Sequence, residues 1–185
     1  MRRVLASALM CACVTLPVCA VDGVSASYGE GARDNVLDAY RIAMQWDWDR
    51  RWLETSPIHL TGYWDLSGAM FENDADARAG DDSEEQLYAI AFAPVFRFHT
   101  DPIGAVTPFV DLAIGVSGFS ETELRTGDSP RELGGHFQFE DRITIGARLG
   151  ANAEVAFQRM HYSNLGLAGE NDGIDTQLLT LRWHF

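Results

Sequence analysis

Cysteine is confined to the first twenty residues, where Cys11, Cys13 and Cys19 all lie. Without that stretch the chain has no disulfide, no thiolate metal site and no cysteine nucleophile. No later run of eighteen apolar residues exists, which excludes helical membrane spans. It does not exclude a membrane barrel, whose alternating strands leave only a weak hydropathy signal. Positive charge is also scarce. The 185 residues carry 14 basic against 27 acidic groups, a formal net charge of −13, so nucleic acid is a poor partner.

What is present starts with Arg2 and Arg3, an apolar run over 4–18, and small residues around Val18-Cys19-Ala20. This pattern predicts a secretory signal peptide over residues 1–20, followed by a single domain over 21–185. Pro17 and the shortness of the run argue against a membrane anchor. Lipidation at Cys19 fits less well, because a valine precedes it.

Period-two alternation recurs through the rest. Ile58, Leu60, Trp64, Leu66 and Met70 fall on one face, and His59, Thr61, Tyr63, Asp65 and Ser67 on the other. A soluble sandwich would bury the apolar face, whereas a small outer-membrane barrel turns it toward lipid. The final strand favours the barrel, because Leu179, Leu181, Trp183 and Phe185 alternate up to a terminal phenylalanine. That ending resembles the C-terminal signature of outer-membrane proteins.

Eight strands are expected, over 23–29, 36–48, 58–71, 86–99, 106–118, 136–149, 152–164 and 174–185. The links over 72–85 and 120–133 are long, acidic and glycine-rich, while those near 101–102 and 150 are short. The fold class is therefore all-β, an eight-stranded antiparallel transmembrane β-barrel with both ends in the periplasm and its long loops outside. Eight strands leave no pore, and Asp47, Asp49, Asp65, Glu140, Arg142 and Arg148 are expected to fill the interior as a salt-bridged plug. His59, His99, His136 and His184 have no partner at metal-ligand spacing, so neither a metal nor a cofactor is called for.

Along 152–164, Val155 and Phe157 mark the lipid-facing side, while Glu154, Ala156 and Gln158 point inward. Continuing that parity places Arg159, His161 and Ser163 on the outside. The same count back from Phe185 places Gln177 and Asp175 there too. If the last two strands pair through the loop 165–173, Asp175 approaches His161. A histidine can then take the serine proton while the carboxylate fixes its tautomer. Spacing alone is also met by polar residues at a membrane interface. A non-catalytic barrel that anchors the envelope or binds a partner through its loops therefore stays open, as does an acyltransferase.

The longer stretch His161-Tyr162-Ser163-Asn164-Leu165-Gly166-Leu167, followed by Asn171-Asp172-Gly173-Ile174-Asp175, resembles the PagL family of outer-membrane lipid A 3-O-deacylases. That family carries His-x-Ser-Asn on the penultimate strand and an acidic residue shortly after Asn-Asp-Gly. The resemblance extends to Trp46-Asp47-Trp48-Asp49, Leu60-Thr61-Gly62-Tyr63-Trp64-Asp65, Phe92-Ala93-Pro94-Val95-Phe96 and Phe139-Glu140-Asp141-Arg142.

The resemblance implies an outer-membrane esterase that removes the 3-hydroxyacyl chain from position 3 of lipid A in lipopolysaccharide. It implies Ser163 as nucleophile, His161 as base, Asp175 as the acidic member, and the backbone amides of Asn164 and Gly166 as oxyanion hole. Asn171 would order the loop or touch substrate, and Arg159 would meet an acidic headgroup or anchor the strand by snorkelling. A homodimer is among the arrangements the family uses. The family's usual glutamate is replaced by Asp175, one methylene shorter, with Glu170 and Asp172 as loop alternatives.

Overall fold

Strict alternation lets each strand offer one face to lipid and the other to the interior, so a sheet of such strands closes on itself and leaves no edge. The computed structural model describes residues 20–32, 37–73, 86–126 and 129–185. Residues 1–19 of the signal peptide expected over 1–20, and the acidic segment 74–85, lie outside them.

The barrel strands are β1 (Gly23–Gly31), β2 (Leu37–Asp47), β3 (Ile58–Asn73), β4 (Gln86–Thr100), β5 (Val106–Phe119), β8 (Phe137–Leu149), β9 (Ala153–Ser163) and β10 (Ile174–His184). Two short strands, β6 (Glu123–Thr126) and β7 (Ser129–Glu132), form a separate hairpin between β5 and β8. The barrel runs β1-β10-β9-β8-β5-β4-β3-β2 and closes antiparallel between β1 and β2. All eight expected barrel strands are found.

On the outer wall Ile42, Ile90, Ile114, Ile145, Leu179 and Leu181 are between 59% and 70% exposed. A band of aliphatic side chains this open is what a hydrocarbon surround requires. Trp48 leaves β2 and lies against Trp64 and Phe96, with ring centroids 5.6 and 5.2 Å away. Together with Trp183 and Phe185 these rings form an aromatic belt at the end of the barrel where β1 begins and β10 ends.

The interior divides into two halves. Toward the start of β1 and the end of β10 it is a charged plug. Asp65 takes Arg41, Arg142 at 3.2 Å and Gln45 at 3.0 Å. Arg97 grips Asp111 through two bonds of 2.8 Å and reaches Glu154 at 2.5 and 3.0 Å, its guanidinium lying 3.8 Å from the Phe109 ring centre. His184 adds a 2.7 Å bond to Glu154. Burial of so many charges is tolerated because nearly every carboxylate meets a guanidinium. Asp65, Glu140 and Arg142 lie inside as expected, and Arg148 enters partly through a 3.0 Å bond to Glu154. Asp47 only reaches Arg182 from the rim, and Asp49, beyond the end of β2, is exposed. Parity stops applying where the strand ends, so Asp49 is corrected from plug to turn.

The other half is apolar, not charged. Leu37, Phe71, Leu87, Phe119, Met160, Tyr162, Ile174 and Leu178 form one core with Leu124 and Leu133. The last two belong to the β6–β7 arm, so the described parts of 120–133, expected as plain loop, bring two leucines back into the barrel mouth. Four-residue strands carry too little alternation to be visible in the sequence.

Candidate active site

Tyr162 decides where its neighbours on β9 point. It is 1% exposed, its ring meets Phe71 and Phe119 edge-on, and its hydroxyl donates to Glu140 at 3.0 Å. With Tyr162 rooted inside, strand geometry sends His161 and Ser163 to the outer wall.

Antiparallel register then sets what lies beside His161. On one side β10 pairs Asp175 with it, and on the other β8 pairs Asp141 with it. His161 Nδ1 lies 3.0 Å from Asp175 Oδ1. A carboxylate at Nδ1 stabilises the tautomer with the proton on that nitrogen and leaves Nε2 as a base. Asp175 is 8% exposed, and its own carbonyl accepts from the Ala32 amide at 2.8 Å, which ties the carboxylate to the barrel wall. Ser163 is 5% exposed, two residues along the same strand. The imidazole's hydrogen bond is with Asp175, and Ser163 Oγ is not bonded to it in this structure. Such contacts commonly tighten only with substrate bound.

The loop after Ser163 is ordered by amide side chains. Asn164 is 1% exposed; its Nδ2 donates to the Leu133 and Glu170 carbonyls, both at 2.7 Å, and its Oδ1 accepts from the Gly166 amide at 2.6 Å. Its own amide donates to Asn171 Oδ1 at 2.9 Å. Both backbone amides expected to form an oxyanion hole thus hold side-chain carbonyl oxygens here, and an oxyanion would have to take those places. Asn171 acts on the loop. Leu165 adopts φ 55°, a costly left-handed conformation for leucine, and with Leu167 stands exposed beside the site.

Glu170 and Asp172 do not reach His161 by any hydrogen bond among the described residues; the Glu170 carbonyl serves Asn164, and Asp172 Oδ2 accepts from the Glu132 amide at 2.8 Å. Arg159 is exposed on the outer wall. A groove of about 410 Å³ runs along that wall over Leu112, Ile114 and Ile143, with Arg159, Asp141 and His161 on its border. Asp141 enters the sequence analysis only within Phe139-Glu140-Asp141-Arg142 and with no role, although strand parity with the inward Glu140 and Arg142 places it outside. No group of three or more His, Cys, Asp or Glu that could hold a metal occurs among the described residues.

A family model described as Lipid A 3-O-deacylase (PagL) matches residues 38–184. The chain is 35% identical over 181 residues to lipid A deacylase PagL of Pseudomonas aeruginosa, spanning 97% of this chain and 96% of that protein. Lipid A deacylase PagL of Bordetella bronchiseptica is 26% identical over 170 residues, which is 88% of this chain and 83% of that one. The crystal structure of the outer membrane enzyme PagL superposes with a TM-score of 0.74 at 36% identity, over 88% of this chain and 99% of the other. Neisserial surface protein A shares the barrel, with a TM-score of 0.50 at 10% identity. A match over nearly the whole barrel, together with the lipid-facing His161 and Asp175 pair, leads to one assignment: the chain belongs to the PagL family of lipid A 3-O-deacylases.

Proposed function

We propose that this outer-membrane esterase hydrolyses the ester-linked 3-hydroxyacyl chain at position 3 of lipid A through Ser163, His161 and Asp175. The observation that carries the residue assignment is the 3.0 Å contact between His161 Nδ1 and Asp175 on the lipid-facing wall. It leaves Nε2 as the nitrogen that can serve as base toward Ser163. A lipid held in the outer leaflet meets this wall laterally, without leaving the membrane.

Ser163 Oγ attacks the ester carbonyl carbon as His161 Nε2 takes its proton, and Asp175 stabilises the imidazolium. The tetrahedral oxyanion is held by loop amides, those of Asn164 and Gly166 being the candidates once Asn171 Oδ1 and Asn164 Oδ1 give way. Each such donor is worth about 3 kcal/mol in acyl transfer. His161 then protonates the departing sugar oxygen. Water, deprotonated by the same nitrogen, releases the fatty acid and restores Ser163. All these side chains come from one chain, so a homodimer is not needed to complete the site.

Asp141 supports a preference for hydroxylated chains. Asp141 lines the apolar groove and lies opposite His161 in register, a position from which its carboxylate can accept a hydrogen bond from an acyl hydroxyl near the reacting carbonyl. A hydrogen bond to a charged group contributes about 1.5–3 kcal/mol. Asp141→Asn is therefore expected to lower the ratio of kcat/KM for a 3-hydroxyacyl ester over its deoxy analogue by about tenfold. Competition between the two esters in mixed micelles measures that ratio, and an unaltered ratio would refute the role.

A further inference from the structure

Between Ser163 and Asp175 the chain leaves the barrel wall, and the alignment of the proposed triad depends on what holds that excursion. The β6–β7 arm does so through residues 131–134. The Asp172 amide donates to the Glu132 carbonyl at 3.0 Å, and the Glu132 amide donates back to Asp172 Oδ2 at 2.8 Å. Asn164 Nδ2 donates to the Leu133 carbonyl at 2.7 Å, and Arg131 Nη1 to the Gly173 carbonyl at 3.3 Å.

The arm itself is firmly seated. Leu124 and Leu133 are fully buried in the apolar half of the barrel, and the Leu133 amide donates to the Thr122 carbonyl at 2.8 Å. Gly134, at φ 73°, sits so close to the loop that a Cβ there would lie 2.0 Å from the Glu170 carbonyl oxygen. Only glycine permits that approach.

From Asp172 the path to the imidazole is one residue long. Gly173, at φ 65°, packs on His161; a Cβ on it would stand 3.2 Å from His161 Cε1 and 2.8 Å from the Tyr162 carbonyl oxygen. Two residues further, Asp175 makes its bond to Nδ1.

We propose that residues 131–134 clamp the catalytic loop and that Asp172 is a positioning residue: its paired bonds to Glu132 set Gly173 against the imidazole and Asp175 at Nδ1. This rests on the triad assigned above. Asp172 is exposed, so replacing it leaves the barrel core untouched. Small misplacements of reacting groups cost rate steeply.

The test uses the full chain folded in detergent micelles. Asp172→Ala is expected to lower kcat on lipid A by about ten- to a hundredfold with KM altered less than about twofold. Asp172→Asn, which keeps a carbonyl oxygen for the Glu132 amide, is expected to recover most of that loss, and Gly134→Ala to reproduce it. A readout independent of turnover is the downfield proton resonance of the His161 to Asp175 bond, expected to shift or broaden in Asp172→Ala and to return in Asp172→Asn. An unshifted resonance with full kcat in Asp172→Ala would overturn the clamp, as would a loss of rate matched by an equal loss of folded barrel. Should Ser163→Ala stay active, the nucleophile assignment fails while the resonance still decides the clamp.

Discussion

Replacing Ser163 by alanine is expected to leave a fully assembled barrel that releases fatty acid from lipid A at least ~1,000-fold more slowly than the parent chain. Only the oxygen proposed as nucleophile is removed. The site lies on the outer wall, away from the ion pairs and the apolar core that hold the interior together. His161→Asn is expected to reach a similar level, since a neutral hydroxyl without its base is a weak nucleophile. The double variant should be no slower than either single one, because residues that act as one unit lose their effect together. Heat-modifiable electrophoretic mobility reports barrel assembly and fatty-acid release reports rate. A combined loss close to the product of the two single losses would argue for independent roles.

Asp175 carries the second large effect. Asparagine in its place still reaches His161 Nδ1, but its NH2 can donate there, which moves the imidazole proton to Nε2 and blocks the base. The analogous tautomer error in a serine triad costs about 10⁴ in kcat, and Asp175→Asn is expected to fall by ~10³–10⁴. Asp175→Glu should stay within about tenfold, since either acid serves in such triads. The extra methylene has to be absorbed at a position that is 8% exposed and faces His161 directly in register, which is why some loss is expected. Equal rates for the asparagine and glutamate variants, measured on purified lipid A, would remove Asp175 from the mechanism.

Much of this was visible in the sequence because a strand's period of two is unforgiving. The alternation around Trp64, and the run from Leu179 to Phe185, place wall and interior residues where the structure has them. From Val155 and Phe157 the same count carries Arg159, His161 and Ser163 outward; Arg159 is exposed, His161 half-buried, and Ser163 covered to 5% exposure. Asp141 was equally accessible. The link of three residues after Leu149 sets Leu149 opposite Ala153, and counting back along both strands brings Asp141 opposite His161.

Other features depend on distant partners and leave no local trace. The resemblance offers the Asn164 backbone amide for an oxyanion hole, yet that amide donates to Asn171 Oδ1, and the Asn164 side chain is committed to the Leu133 carbonyl, 31 residues away. The β6–β7 arm hides two core leucines in a stretch whose acidic and glycine-rich composition reads as solvated loop. The apolar half of the interior is hidden for a related reason. Inward parity in a barrel suggests polar residues, but Phe71, Phe119 and Tyr162 point inward and find each other there.

The central claim is that Ser163 of this barrel accepts, and then yields to water, the 3-O-linked chain of lipid A. Its most direct test is mass spectrometry of lipid A and released fatty acid after incubation in ¹⁸O-labelled water. The wild-type chain should produce lipid A lighter by one 3-hydroxyacyl group and a free 3-hydroxy acid carrying the label in its carboxyl group, while Ser163→Ala should leave lipid A unchanged. Intact lipid A with the wild type, label in the sugar hydroxyl, or equal deacylation by Ser163→Ala would contradict it.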